Sequence, residues 1–118
     1  MKMNYFVFGT NNMKQSISFY DSLFEGHGIN KIYSEGRMTI WTGADFMFGV
    51  AEPYNGEPAT NGNGTMLGLN VGSASEVERL YKKALALGGG DEGAPNIRSG
   101  RYSAYVRDLD KNKICLFE

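Results

Sequence analysis

The 118-residue chain has one thiol, Cys115, and one imidazole, His27. These are the side chains best suited to nucleophilic or proton-transfer chemistry near neutral pH. Neither sits in a pattern that would activate it. No base is spaced to serve Cys115, and a single thiol on an inward strand face is ordinarily inert. His27 lies between Gly26 and Gly28, where it can cap a helix or face water. One histidine excludes any site built on two from one chain, and one cysteine excludes an internal disulfide. The run Asp108-Leu109-Asp110-Lys111-Asn112-Lys113 opens like a calcium loop, but Lys113 stands where such a loop needs glycine, so the run reads as a β-turn. Gly88-Gly89-Gly90 follows a helix instead of opening one, which removes the amide-rich helix N-terminus that holds phosphate. What remains is a set of aromatic, thioether and guanidinium groups whose chemistry is recognition: Tyr5, Arg37, Trp41, Met47, Met66, Tyr105 and Arg107.

The elements that must position them repeat. A β-rich run, Asn4 to Gly9, precedes a helix start at Asn12-Met13-Lys14-Gln15, in which Asn12 caps and Gln15 reaches back. Met13, Ile17, Tyr20 and Phe24 then recur at helical spacing, and Gly26 and Gly28 end the helix. Strands are expected at 30–34, 37–42 and 45–51. The stretch 52–64 holds Pro53, Asn55-Gly56, Pro58, Asn61-Gly62 and Asn63-Gly64, too many turn formers for an element, and reads as a linker. The order then restarts with a strand at 65–71, a cap at Ser73 with Glu76, a helix through Leu87, a poor short strand near 96–98, and strands at 102–107 and 113–118. A shift of 61 residues carries Tyr5 to Met66, Asn12 to Ser73, Phe19 to Leu80 and Gly28 to Gly89. For the last strand the shift grows to 68, pairing Met47 with Cys115. The expected class is therefore α+β, two tandem βαβββ modules forming a cupped mixed sheet in one domain over 1–118, with module one about 1–51, the linker 52–64 and module two about 65–118.

Composition narrows the function classes. Twelve Lys and Arg against 13 Asp and Glu give a net charge of −1, with 42% apolar and 21% charged residues, normal for a folded globule and without the field that holds nucleic acid. No apolar run approaches the roughly 20 residues of a spanning helix, and Met1-Lys2-Met3-Asn4 lacks the apolar core of a secretory signal. A cytoplasmic location without membrane contact is the resulting expectation.

"NYFVFGTNNMKQSISFYDSLF" opening the first module, the Pro- and Gly-rich linker, and "VRDLDKNKICLFE" closing the second resemble the vicinal oxygen chelate superfamily: glyoxalase I, extradiol dioxygenases, fosfomycin-resistance enzymes and bleomycin-binding proteins. The family turn usually reads D-P-D-G-N, so Leu109 and Lys111 depart from it. The resemblance implies a concave sheet face in which enzymes hold a metal on four residues from the first and last strands of the two modules. By position these are Tyr5, Met47, Met66 and Cys115, where metal-binding members carry His, Gln or Glu. One phenol, two thioethers and one thiol suit no hard divalent ion; thioethers and thiolate suit Cu(I), although methionine inside a strand is ordinary packing. The expectation is no metal and no cofactor.

Alternation places Phe6, Phe8, Phe46, Phe48, Leu67, Leu69, Ile114 and Leu116 under the helices, and Arg37, Thr39, Trp41, Ser103, Tyr105 and Arg107 on the concave side. The resulting expectation is a metal-independent protein, homodimeric by family resemblance, that binds a small aromatic or anionic organic molecule at Tyr5, Arg37, Trp41, Met47, Met66, Tyr105, Arg107 and Cys115, with Tyr54 as a candidate lid. The alternative is a lyase, isomerase or dioxygenase-type enzyme: either a metal-free lyase or isomerase with Tyr5 as acid or base, or a metal enzyme whose ligands lie in a different register. A further alternative is an interaction subunit with a filled cavity; a Trp41 buried beneath a helix would overturn the pocket built on it and put this reading in its place.

Overall fold

Asn12 and Ser73 start the two helices, each by accepting a hydrogen bond on its side chain from the amide three residues on, Gln15 N and Glu76 N. The Asn12 amide itself donates to Thr10 Oγ1 at 3.1 Å. The second helix ends in a Schellman motif: Gly88 takes φ +98°, its amide donates to Leu85 O, and the Gly89 amide donates to Ala84 O. A Cβ at Gly89 would lie 2.6 Å from Arg107 O and 2.8 Å from Ala84 O, so this position accepts only glycine.

The structure is a computed structural model and describes residues 1–118. In chain order it contains β1 (Tyr5–Gly9), α1 (Met13–Leu23), β2 (Asn30–Glu35), β3 (Met38–Thr42), β4 (Met47–Ala51), β5 (Met66–Asn70), α2 (Ala74–Ala86), β6 (Gly90–Arg98), β7 (Arg101–Arg107) and β8 (Lys113–Phe117). The strands form two four-stranded mixed sheets, ordered β1-β4-β3-β2 and β5-β8-β7-β6. In each, the first strand runs parallel to the last and the other neighbours are antiparallel. The chain divides into two units, Met1–Thr60 and Asn61–Glu118, and each carries one βαβββ module. No helix is long and apolar enough to cross a membrane.

In the first unit α1 covers one sheet face and buries Phe19, Tyr20, Leu23 and Phe24 against Phe8, Trp41, Phe48 and Val50. Tyr20 sits 4.7 Å from Phe48 and 5.9 Å from Trp41 between ring centroids. In the second unit α2 buries Val77, Leu80 and Ala84 on a sheet face of Leu67, Ala104, Val106, Ile114 and Leu116. The expected helix-facing set is largely found there, but Phe6 is 39% exposed and Phe46 lies in the turn before β4.

Two sequence expectations are corrected. The poor strand near 96–98 is a nine-residue edge strand beginning at Gly90, irregular where its pairing with β7 shifts between Asp91 and Gly93 and between Gly93 and Asn96. The shift that paired Met47 with Cys115 also fails. Tyr5 pairs with Met47 and Met66 pairs with Lys113, so Met47 corresponds to Lys113, and Gly49 is the counterpart of Cys115. The extra residues of module two lie earlier, in the β6–β7 region.

Candidate functional site

The sheet faces opposite the helices carry most of the candidate residues. In the first unit that face contains Tyr5, Val7, Met38, Ile40 and Met47, and Tyr5 stands directly across the ladder from Met47. Tyr5 is 45% and Met47 37% exposed. The Tyr5 hydroxyl donates to Met38 Sδ at 3.7 Å, and a thioether is too weak a base to draw a proton from a phenol. This leaves the acid–base role of Tyr5 without a partner.

Arg37 lies in the turn between β2 and β3. Its Nη1 donates to Glu52 O at 3.1 Å, and its guanidinium lies 5.1 Å from the centroid of the Tyr54 ring. Arg37 borders an open groove of about 500 Å3 with Tyr33, Glu35, Met38 and Ile40, so it reaches the rim of this face. Tyr54 is thus a platform for Arg37. The segment carrying it is held to β1–α1 by Asn11, whose side-chain oxygen accepts from Ala59 N at 2.7 Å and whose Nδ2 donates to Ala59 O at 3.0 Å.

Trp41 is not on this face. It pairs across the ladder with Phe48, and directly opposed residues point the same way, so both lie under α1. Trp41 is 1% exposed; its Nε1 donates to Asp21 Oδ1 at 2.9 Å, while Asp21 Oδ2 accepts from Lys31 Nζ at 2.7 Å. Thr39, two residues earlier, is buried on the same side and donates to Met13 Sδ of α1 at 3.4 Å. Trp41 is expected on the concave side and Phe48 under the helix, but the ladder sets the two directly opposite each other, so the tryptophan goes under the helix with its partner. The tryptophan fills the helix-side core, and Met38, Ile40 and Thr42 occupy the opposite face in its place.

In the second unit β8 and β7 bring several expected residues together. Tyr105 pairs with Cys115, Arg107 with Lys113, and Lys113 in turn with Met66, so all five share the face away from α2. The Arg98 guanidinium lies 5.2 Å and Lys113 Nζ 5.1 Å from the Tyr105 ring centroid. Arg98 also donates to Ser103 O at 2.6 Å and Ala94 O at 2.7 Å. Burial pushes the Cys115 thiol above its ordinary pKa, partly offset by a hydrogen bond from Tyr105 and by the charges of Arg98 and Lys113. Cys115 is 8% exposed, and at neutral pH it is a protonated, poorly reactive thiol.

Arg107, expected to hold an anion, is already paired: its Nε lies 3.0 Å from Glu92 Oε1 and its Nη1 donates to Lys111 O. The cations that face Tyr105 without a carboxylate partner are Arg98 and Lys113, which the sequence reading passed over. Lys113 was legible, because it lies two residues before Cys115 and therefore on the same side of the strand. Arg98 was hidden by the misread β6.

A metal does not fit these side chains. With the register corrected, the first and last strands offer Tyr5, Met47 and Gly49 in one unit and Met66, Lys113 and Cys115 in the other. A phenol, two thioethers, a glycine, an ammonium and a buried protonated thiol supply no hard donor set, and no three His, Cys, Asp or Glu side chains cluster anywhere.

The family model for the Glyoxalase/Bleomycin resistance protein/Dioxygenase superfamily matches residues 2–116. A glyoxalase/bleomycin resistance protein from Albidiferax ferrireducens T118 is 33% identical with a TM-score of 0.89, the match covering 98% of this chain and 96% of that one. The fold is shared with lactoylglutathione lyase from Agrobacterium tumefaciens (18% identity, TM-score 0.74, 99% and 92% covered). It is also shared with a bleomycin-binding protein in complex with bleomycin (15% identity, TM-score 0.67, 100% and 98% covered). No curated protein matches the chain.

Proposed function

Because the chain belongs to the Glyoxalase/Bleomycin resistance protein/Dioxygenase superfamily, a scaffold on which different chemistries and simple binding are built, we propose that it binds a small organic molecule on the sheet faces opposite its helices and does so without a metal. The observation that carries this reading is the composition of those faces. Tyr5 and Met47 are exposed on the face of the first unit, and Met66 is exposed on that of the second, across the ladder from Lys113; neither face has a hard ligand set. Such surfaces suit a partly aromatic guest. The bleomycin-binding relative gives a precedent for binding on this fold. The pocket expected around Trp41 is lost, because that side chain lies under α1; the proposal rests instead on the exposed side chains of the opposite faces, and the interaction subunit with a filled cavity is the reading it must be tested against.

The same reading includes a homodimer in the cytoplasm, where a lone thiol stays reduced. A second copy would close over the face formed by Tyr5, Val7, Tyr33 and Met47, so that a ligand on that face would lie at the seam between the copies. Sedimentation of micromolar protein should give twice 13.0 kDa, and a stable monomer removes this element.

The main test pairs elemental analysis with a melting screen. Purified protein should carry far less than one zinc, nickel, manganese or iron per chain, and aromatic ligands should raise its melting temperature after chelator treatment. One firmly held metal per chain, with stabilisation appearing only in its presence, contradicts the proposal.

A further inference from the structure

The face around Tyr105 has an unbalanced charge. Arg107 is neutralised by Glu92, whereas Arg98 has only the carbonyl oxygens of Ser103 and Ala94 as partners and Lys113 has no carboxylate within pairing distance. Both unneutralised cations lie within 5.2 Å of one tyrosine ring. A second observation is independent of charge. Ser103, on the same side of β7 as Tyr105, is 3% exposed, and its Oγ is the one buried side-chain oxygen or nitrogen without a hydrogen-bond partner. An unpaired buried hydroxyl is destabilising, and it stands beside a guanidinium that already donates to the Ser103 carbonyl. Met66 borders the cluster across the ladder from Lys113 and is 49% exposed, leaving an apolar, polarisable side chain next to the cations.

We propose that this face is a subsite for an aromatic carboxylate, with Lys113 and Arg98 holding the anionic group, Tyr105 keeping the two cations in place, Met66 contacting the ring and Ser103 Oγ donating to a carboxylate oxygen. The inference rests on the small-molecule reading above and adds to it a ligand class and an address. It also explains why Arg98 and Lys113 are gathered on one ring without a counterion. A carboxylate supplies both the missing charge and an acceptor for the orphan hydroxyl.

The test uses 2-naphthoate, its neutral isostere 2-naphthamide, and sulfate, each titrated into the full chain and followed by amide chemical shifts. Naphthoate should perturb β7 and β8 and bind about tenfold or more tightly than naphthamide, the size expected for a charge-assisted hydrogen bond. Lys113→Met should cut that preference several-fold and leave naphthamide unchanged; Lys113→Gln serves if the first variant folds poorly. Ser103→Ala should weaken naphthoate a few-fold and raise the melting temperature of the free protein, since it removes an orphan hydroxyl. A merely structural serine would not move the two readouts in opposite directions. Equal binding of naphthoate and naphthamide, or a preference that Lys113→Met leaves undiminished, overturns the subsite while leaving small-molecule binding intact. Sulfate binding as tightly at the same amides reduces it to a bare cationic patch and also overturns it. If neither naphthalene compound binds, the small-molecule reading falls and takes this inference with it.

Discussion

The two modules share strand order, ladder register and cap chemistry, yet they are built from different materials. Where the first unit pairs Trp41 with Phe48, the second pairs Val106 with Ile114. α1 contributes Phe19, Tyr20 and Phe24 to its core, and α2 contributes Val77, Leu80 and Ala84. The opposite faces differ just as much: Ile40 and Met47 in the first correspond to Tyr105 and Lys113 in the second. Backbone hydrogen bonding and the caps therefore fix the architecture, while volume beneath the helix and charge on the other face vary independently. The first unit buries an aromatic cluster under its helix and leaves Tyr5, Phe6, Tyr33 and Tyr54 exposed. The second keeps its core aliphatic and places a tyrosine and two unneutralised cations on the face away from the helix, which is where a ligand's charge would be read.

The largest test of this difference is in the cores. Trp41→Ala should cost about 3–5 kcal/mol, whereas Ile114→Val should cost about 0.5–1.5 kcal/mol. Denaturant unfolding measures both, and near-equal losses would show that the aromatic cluster is not the stabilising centre of its module. The caps should behave alike instead of differing. Asn12→Ala and Ser73→Ala should each lose about 1 kcal/mol, and a clear inequality would mean that the two helices are not equivalently anchored.

A smaller effect follows from the Cys115 thiol. Its pKa is raised in the folded protein, so the fold favours the protonated form. The associated stabilisation is complete below the ordinary thiol range and disappears as pH rises through the folded value. Stability should therefore decline on the alkaline side by less in Cys115→Ser than in the parent, as read from melting temperature against pH. Thiol labelling of the native protein should also lag behind that of the unfolded chain at neutral pH.

Local signals carried the sequence reading a long way. The caps at Asn12 and Ser73, the glycine stops and the apolar stripes each depend on neighbours a few residues apart, and they gave both helices and most strands. The failures were non-local. Trp41 was assigned to a face by counting from Arg37, which lies in the turn outside β3, although its partner Phe48 determines its side. β6 was masked by Gly90, Gly93 and Pro95, residues that an irregular edge strand tolerates and a regular strand does not. The arginines expected to select an anion, Arg37 and Arg107, turn out to be engaged by Glu52, Tyr54 and Glu92. Those partners lie 15 to 17 residues away, beyond the reach of any spacing rule.

The central claim is that a ligand is held by side chains on the sheet faces and needs no metal. The most direct measurement is an amide-resolved titration of chelator-treated protein with 2-naphthoate, repeated after restoring zinc, nickel or manganese. The account predicts saturable shifts in β7 and β8 with the same affinity in both states. Shifts that appear only once a metal is restored would contradict it.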